Sequence, residues 1–218
     1  MIVSRRKYLG AALGLAAWTC LGVPAWAVEG DRGDPFAFVV DLTNRVLDEI
    51  RRDPALHRAD PMSVQRLVDD YLMPSADFHL MTRMAVGPQW RKADAKQREA
   101  LERGFRNLLI RVYSGALLNV KDQKCELRPT RNKTVADEMV IRTLLKSTGA
   151  QDIGIDYRIY RNKEGAWRIV DVNVEGIWMV ENYRTQFASV LSSGGLDGLI
   201  DALEHRQDAL AGESGKGH

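Results

Sequence analysis

The chain has 218 residues, with 45% hydrophobic side chains and 31 Lys and Arg against 29 Asp and Glu. This near-neutral balance argues against a protein that holds a nucleic-acid backbone, because that task needs a clustered excess of basic side chains. The length suits one domain that can bury a sizeable hydrophobic core.

The first 27 residues have the pattern of a cleaved export signal. A basic segment, Ser4-Arg5-Arg6-Lys7, precedes an apolar run that ends near Val23, and Ala25-Trp26-Ala27 has the small-x-small pattern of a cleavage site. The apolar run is short for a membrane span. The arginine pair resembles a twin-arginine signal, and Sec export is the alternative. We therefore expect cleavage after Ala27 and a periplasmic product.

Cleavage would change both the charge and the cysteine content. The signal carries three basic residues and no acidic ones, so 28 Lys and Arg would remain against 29 Asp and Glu. Loss of Cys20 would leave Cys125 without a disulfide partner or companion metal ligands, and we expect a buried, unreactive thiol in a strand. Residues 28–206 are predicted to form one α+β domain, and the small, polar residues 207–218 a disordered tail.

The first half of the mature chain is predicted to be helical. Asp34-Pro35 and Asp60-Pro61 each place a proline at the first position of a helix. Ser75 is the expected N-cap of a short third helix. Asp94 and Gln97 form a capping box at the start of a long fourth helix. The apolar stripe of that helix contains Leu101, Phe105, Leu108, Leu109, Val112, Tyr113, Ala116 and Leu117.

The second half alternates between apolar and polar residues, which is typical of half-buried strands. Strands are predicted at Lys124–Pro129, Glu138–Lys146, Ile153–Arg161 and Ala166–Glu175, with a hairpin turn at 162–165. The short connections predict antiparallel neighbours.

The last predicted strand turns into a helix through Gly176. Val170, Val172 and Val174 alternate with polar residues, and apolar residues then recur every three or four positions from Met179. Gly194-Gly195 should break this helix before a final one at Leu196–Leu203. The expected fold is therefore α+β: N-terminal helices and a C-terminal helix packed on a twisted antiparallel sheet of about four strands, enclosing a deep apolar pocket.

Signatures of catalysis are scarce. The sequence contains no G-x-S-x-G, H-E-x-x-H, Walker or G-x-G-x-x-G motif. His79 lies among apolar residues and is expected to be structural. Asp156 and Asp171 are the candidate general bases, but alternation places them on a polar face that we expect to be solvated. We predict no catalytic residue and no metal site.

Several short segments recur in the order and spacing of a known family. They are Gly87-Pro88-Gln89-Trp90-Arg91, Gln97-Arg98, Phe105, Leu108-Leu109, Tyr113, Trp167-Arg168-Ile169-Val170-Asp171-Val172, Val174-Glu175-Gly176, Asn182-Tyr183-Arg184-Thr185-Gln186-Phe187 and Gly195-Leu196-Asp197-Gly198-Leu199-Ile200. On these segments the chain resembles, from Phe36 to Leu203, the MlaC family of periplasmic phospholipid-binding proteins, also called toluene-tolerance auxiliary proteins. One departure is Trp178, which follows Gly176-Ile177 where the family usually has a small residue. It would change the shape of this end of the pocket or mark a side branch such as the hopanoid-associated relatives.

The resemblance implies a soluble carrier, not an enzyme, that moves phospholipid between an outer-membrane MlaA–porin complex and the inner-membrane Mla ABC transporter complex, thereby maintaining outer-membrane lipid asymmetry. The cargo would be a glycerophospholipid, with no cofactor and no nucleic acid. Exposing a 16-carbon chain to water costs on the order of 13 kcal/mol at about 0.8 kcal/mol per CH₂, so a carrier must bury the tails.

The predicted lipid-binding residues are the large apolar residues on the facing elements, and ordinary core packing is the alternative for each of them, expected to hold for about half. They are Phe105, Leu108, Leu109, Val112, Tyr113, Ile141, Leu145, Ile155, Tyr157, Val170, Val172, Val174, Met179, Val180, Tyr183 and Phe187.

Two other classes of protein remain open from the sequence. A cone-shaped, isomerase-like pocket enzyme would direct Asp156 or Asp171 into the pocket as a base. A periplasmic assembly chaperone would instead show an exposed apolar groove.

Overall fold

The computed structural model describes residues 32–129 and 135–205, without the side chain of His205. The predicted export signal and the predicted tail at 207–218 lie outside these residues. The described regular elements are five helices and five strands. They are α1 (Pro35–Arg52), α2 (Pro61–Leu67), α3 (Phe78–Val86), α4 (Ala95–Ser114), β1 (Lys124–Leu127), β2 (Glu138–Lys146), β3 (Ile153–Arg161), β4 (Trp167–Val174), β5 (Ile177–Trp178) and α5 (Met179–His205).

Short helical turns extend or follow several of these helices. A π-helical turn, Val68–Leu72, continues α2, and it contains no buried residue. The 3₁₀ turns are Leu56–Arg58, Gly87–Lys92 and Gly115–Asn119.

The five strands form one antiparallel sheet in the order β1-β2-β3-β4-β5. The predicted α+β fold is confirmed, and the sequence missed only β5, a two-residue strand that returns through the turn at Glu175-Gly176. Both turn residues have positive φ, 50° at Glu175 and 97° at Gly176. Glycine adopts that conformation without steric cost, which explains its place in a turn this tight.

A β-bulge interrupts the pairing of β3 with β4. Arg158 faces Asp171 and the next residue, Ile159, faces Ile169, so Val170 has no partner. A bulge reverses the alternation of side chains between the two faces of a strand. As a result Ile169 and Val172, which are three residues apart, line the same cavity. The simple alternation predicted through Val170 is therefore wrong at this point.

Aspartates cap the N-termini of the four helices α1 to α4. The predicted capping box at Asp94 and Gln97 is confirmed. The predicted cap Ser75 is wrong, because the Asp77 side chain accepts the hydrogen bond from Leu80 N (2.9 Å). Backbone groups of Ser75 and Asp77 instead bond to Ile169 in β4 (3.0 and 2.9 Å), which ties this segment to the sheet.

Three apolar clusters hold the elements together. One joins α3, α4 and α5 around the rings of Phe105, Tyr183 and Phe187. The second packs α1 on the sheet around Trp167, and the third joins α1 to α2 around Leu56. The backbone of α5 breaks at Gly195 (φ 63°, ψ −160°), as the Gly194-Gly195 pair predicts.

The contact between α4 and α5 depends on the absence of a side chain at Gly104. A Cβ built there would lie 2.8 Å from Leu203 Cβ, an atom that cannot rotate away. We expect Gly104→Ala to destabilise the protein by about 1–3 kcal/mol through overpacking. Urea unfolding measures the difference.

Gly198 in α5 is the matched control, because a Cβ there meets nothing within 4 Å. Gly198→Ala should stabilise the protein by up to about 1 kcal/mol through helix propensity. Equal effects of the two substitutions would contradict the close approach of α4 and α5.

Candidate functional site

An apolar cavity of about 290 Å³ lies where the three clusters meet. Its wall combines residues from α1 to α5, the Val68–Leu72 turn and two strands, and all but five lining residues are apolar. The volume is near the lower end of the range of roughly 300–1,000 Å³ for small-molecule sites. The lining residues are Leu42, Thr43, Val46, Val64, Leu67, Val68, Leu72, Met73, Ala76, Phe78, Met81, Arg106, Leu109, Ile110, Tyr113, Ser114, Leu117, Tyr157, Ile169, Val172 and Met179.

Three of the neutral hydroxyl groups on this wall, those of Thr43, Tyr157 and Ser114, are hydrogen-bonded to the protein. The Thr43 hydroxyl donates to the Val39 carbonyl (2.8 Å) and lies 2.9 Å from the Tyr157 hydroxyl, which therefore donates to it. Ser114 Oγ donates to the Arg111 carbonyl (3.2 Å). These three groups are satisfied without a ligand, so none of them needs a polar partner from a bound molecule.

The two lining tyrosines remain neutral under ordinary conditions. Burial raises the pKa of Tyr157 far above its usual value. Burial also raises the pKa of Tyr113, whose hydroxyl interacts with that of Tyr183. A wall of this kind favours hydrocarbon over water, because an apolar surface gains free energy when water is displaced from it.

Arg106 is the one charged side chain among the described residues that line the cavity. Its guanidinium forms an ion pair with Asp69 in the Val68–Leu72 turn. The Arg106 side chain is 17% exposed and that of Asp69 is 51% exposed. The pair therefore lies where the wall of the cavity approaches solvent.

The predicted lipid-binding residues fall into three groups in the structure. Leu109, Tyr113, Tyr157, Val172 and Met179 line the cavity. The buried residues that do not line it are Phe105, Leu108, Ile141, Val170, Val180, Tyr183 and Phe187. The remaining residues are the partly buried Val112, Leu145 and Ile155 and the 38% exposed Val174.

Sequence reasoning missed the contribution of the first two helices. Leu42 and Val46 of α1, and Val64 and Leu67 of α2, line the cavity. These residues recur at intervals of three and four, and this spacing is the sequence signal that they share one buried face of each helix. The pattern shows that these residues face inward, but it does not show what they face.

The candidate general bases Asp156 and Asp171 do not line the cavity. Asp171 is fully buried, so the prediction that it lies on a solvated face is wrong. Its Oδ1 accepts hydrogen bonds from Val172 N and Val180 N, both at 2.8 Å, and Arg158 lies 3.5 Å from Oδ2. Asp171 thus joins β4 to the first turn of α5. Burial raises its pKa, although the hydrogen bonds and Arg158 act in the opposite direction.

The other singled-out residues have structural contacts. The Trp178 ring lies 4.5 Å below the Arg158 guanidinium and outside the cavity lining. His79 Nδ1 lies 2.7 Å from a Glu102 oxygen, and its ring packs on Trp90. Cys125 is buried in β1, as predicted, and burial raises its pKa. No group of His, Cys, Asp and Glu among the described residues is arranged to hold a metal ion.

The fold and the cavity together define an α+β protein whose helices and sheet enclose an apolar cavity. A model of the MlaC protein family matches residues 40–205. This match spans most of the chain, and the chain belongs to the MlaC family.

Individual relatives agree with this assignment. The intermembrane phospholipid transport system binding protein MlaC of Haemophilus influenzae is 22% identical over 172 residues, which is 78% of this chain and 80% of that protein. Toluene tolerance protein ttg2D of Pseudomonas putida is 24% identical over 183 residues, 84% of this chain and 82% of that protein.

A solved structure is also similar. The phospholipid-binding protein from Ralstonia solanacearum, determined in complex with a phospholipid, superposes with a TM-score of 0.76 at 36% identity. The match covers 82% of this chain and 99% of that chain.

The buried Asp171 should give stability an unusual pH dependence. Its folded pKa lies above the unfolded value of about 3.9, so its contribution is greatest below that value and falls as the pH rises through the folded pKa. Asp171→Asn cannot ionise. The stability advantage of the natural protein over this variant should therefore shrink as the pH rises from about 3 to about 7, as measured by urea unfolding.

Asp122 is a control with the opposite sign. It accepts hydrogen bonds from Ser147 Oγ (2.5 Å) and Thr148 N (2.8 Å), which hold its pKa well below the usual value. Its contribution is present above the unfolded pKa and is lost as the pH falls through the folded pKa. The advantage over Asp122→Asn should thus grow with pH, and the same slope for both variants would contradict the burial of Asp171.

Proposed function

We propose that this protein is a periplasmic carrier that buries the acyl chains of a glycerophospholipid in the cavity and moves the lipid between the outer and inner membranes. The observation that carries the proposal is the apolar wall shared by five helices and the sheet. The Ralstonia solanacearum relative, which was determined in complex with a phospholipid, supports it.

The chemistry of the wall suits a carrier. A lipid tail needs an environment that excludes water, since about 0.8 kcal/mol is lost for each CH₂ left exposed. It needs no hydrogen bonds, and the neutral polar groups at Thr43, Tyr157 and Ser114 already have protein partners. Binding would therefore depend on apolar burial, which suits tails of varied length.

The family and the export-signal pattern support the proposed partners and the proposed compartment. The proposed donor and acceptor are the outer-membrane MlaA–porin complex and the inner-membrane Mla ABC transporter complex. None of the helices in the described ranges combines the length and hydropathy needed to cross a bilayer. The signal pattern at residues 1–27 favours the periplasm.

The alternative functions have less support. A pocket enzyme needs a carboxylate directed into the cavity, and neither Asp156 nor Asp171 lies on its wall. A chaperone for protein segments needs an open apolar groove, whereas the apolar surface here is gathered into a cavity between α1, α2, α4 and the sheet.

The direct test is the lipid content of protein purified from the periplasm without added lipid. Organic extraction and mass spectrometry should recover glycerophospholipid in near-stoichiometric amounts. Protein purified in the same way with no bound lipid, and unable to take up lipid from vesicles, would contradict the proposal.

Val172 and Val170 provide a matched pair for locating the lipid. Val172 lines the cavity, while Val170 is buried outside it, in the bulge of β4. Val172→Asp should leave the protein folded, because the cavity can admit water, and should remove the bound lipid. Val170→Asp should unfold the protein, since an unpaired charge in solid core costs on the order of 4–5 kcal/mol or more.

Circular dichroism and lipid content per folded protein separate the outcomes for these two variants. A folded Val172→Asp protein that keeps its full lipid complement would mean that the tails bind elsewhere.

A further inference from the structure

Arg106 is the single cation on the cavity wall formed by residues 32–129 and 135–205. Arg106 lies on α4 one turn before Leu109 and Ile110, and all three line the cavity. A charge beside apolar surface is costly unless it is paired, and an aliphatic residue would fill the same space without that cost.

The surroundings of Arg106 place its guanidinium at an edge of the cavity. Its partner Asp69 lies in the Val68–Leu72 turn, and Val68 and Leu72 on either side of Asp69 line the cavity themselves. The Arg106 side chain is mostly buried, while Asp69 is half exposed. The cation therefore extends from the apolar wall toward solvent, between α4 and this turn.

A phospholipid presents a matching anion at the matching position. Its phosphodiester carries one negative charge and is joined to the acyl chains through a short glycerol unit. A guanidinium binds phosphate oxygens with two parallel hydrogen bonds, and such charge-assisted bonds are about twice as strong as neutral ones. Tails held in the cavity would leave the phosphate near its edge.

We propose that Arg106 binds the phosphate group of the bound lipid, and that this phosphate displaces Asp69 as its partner. The inference rests on the proposed carrier function and adds to it a selectivity for lipids that carry a phosphate group. Lipids with a phosphate should be preferred over diacylglycerols with the same chains. Asp69 competes with the phosphate, so its carboxylate should weaken binding.

Arg103 is the matched control on the same helix. It lies one turn before Arg106, is 56% exposed, and pairs with Glu99 (3.8 Å) and Glu204 (3.2 Å). It does not line the cavity. Arg103→Gln removes the same charge from α4 without touching the proposed site.

The experiment compares the binding of two soluble probes with identical chains, dioctanoyl phosphatidylglycerol and dioctanoylglycerol, by purified protein stripped of lipid. Arg106→Gln should weaken binding of the phospholipid about 10-fold or more, as expected for a lost hydrogen bond to a charged group, and leave binding of the diacylglycerol unchanged. Asp69→Asn should strengthen binding of the phospholipid alone. Arg103→Gln should change neither.

Several results would overturn the assignment. If Arg106→Gln weakens the binding of both probes equally, the role of Arg106 is purely structural. If it weakens the binding of neither probe, Arg106 has no role in binding. If glycerol phosphate binds to the protein as tightly as the phospholipid does, the natural ligand of Arg106 is a free phosphate ester and not a lipid.

If the Arg106→Gln variant does not fold, the Asp69→Asn variant still tests the proposal, because it breaks the same ion pair and keeps Arg106. Weaker phospholipid binding by Asp69→Asn, or none of the expected gain, would then refute the exchange.

Failure of the carrier function gives a different result. The natural protein would then bind neither probe, whereas failure of the Arg106 assignment leaves both probes bound with affinities that do not depend on the phosphate.

Discussion

An apolar cavity persists inside a folded chain only if the elements around it are held by packing elsewhere. Interiors are otherwise close-packed, and a wall that lacks its own support would collapse inward. Here three separate clusters provide that support: α3 with α4 and α5, α1 with the sheet, and α1 with α2. Each cluster contributes one side of the wall, so the cavity is the space that the three leave between them.

The connection between β4 and α5 determines how the cluster of α3, α4 and α5 meets the cluster of α1 and the sheet. The bulge at Val170 turns Val172 toward the cavity and Asp171 away from it. Asp171 then binds Val180 N at the start of α5, which sets the direction of that helix. The same short segment thus shapes the cavity and orients the helix that closes the core around Tyr183.

The distribution of polar groups gives the cavity its chemical character. The hydroxyl groups of Thr43, Tyr157 and Ser114 bond to the protein itself, and burial raises the pKa of the Tyr157 and Tyr113 hydroxyls. The remaining cation, Arg106, lies at an edge beside a turn in which no residue is buried. In the proposed carrier this arrangement would place the lipid tails against the apolar wall and the polar head group beside Arg106.

The sequence by itself indicated the helices, four of the five strands and the family, and of the two helix caps that it predicted Asp94 is confirmed and Ser75 is wrong. Helices, strands and the glycine breaks follow from local periodicity and capping chemistry, which depend only on near neighbours. Only the tertiary structure decided which apolar residues face a cavity. Phe105 and Leu109 lie on the same stripe of α4, yet the first is sealed in the core and the second lines the site. Both need burial for the same physical reason, so their pattern is the same. Local periodicity does not record contacts between separate segments. The bulge at Val170, the hydrogen bond from Val180 N to Asp171 and the ion pair of Arg106 depend on such contacts.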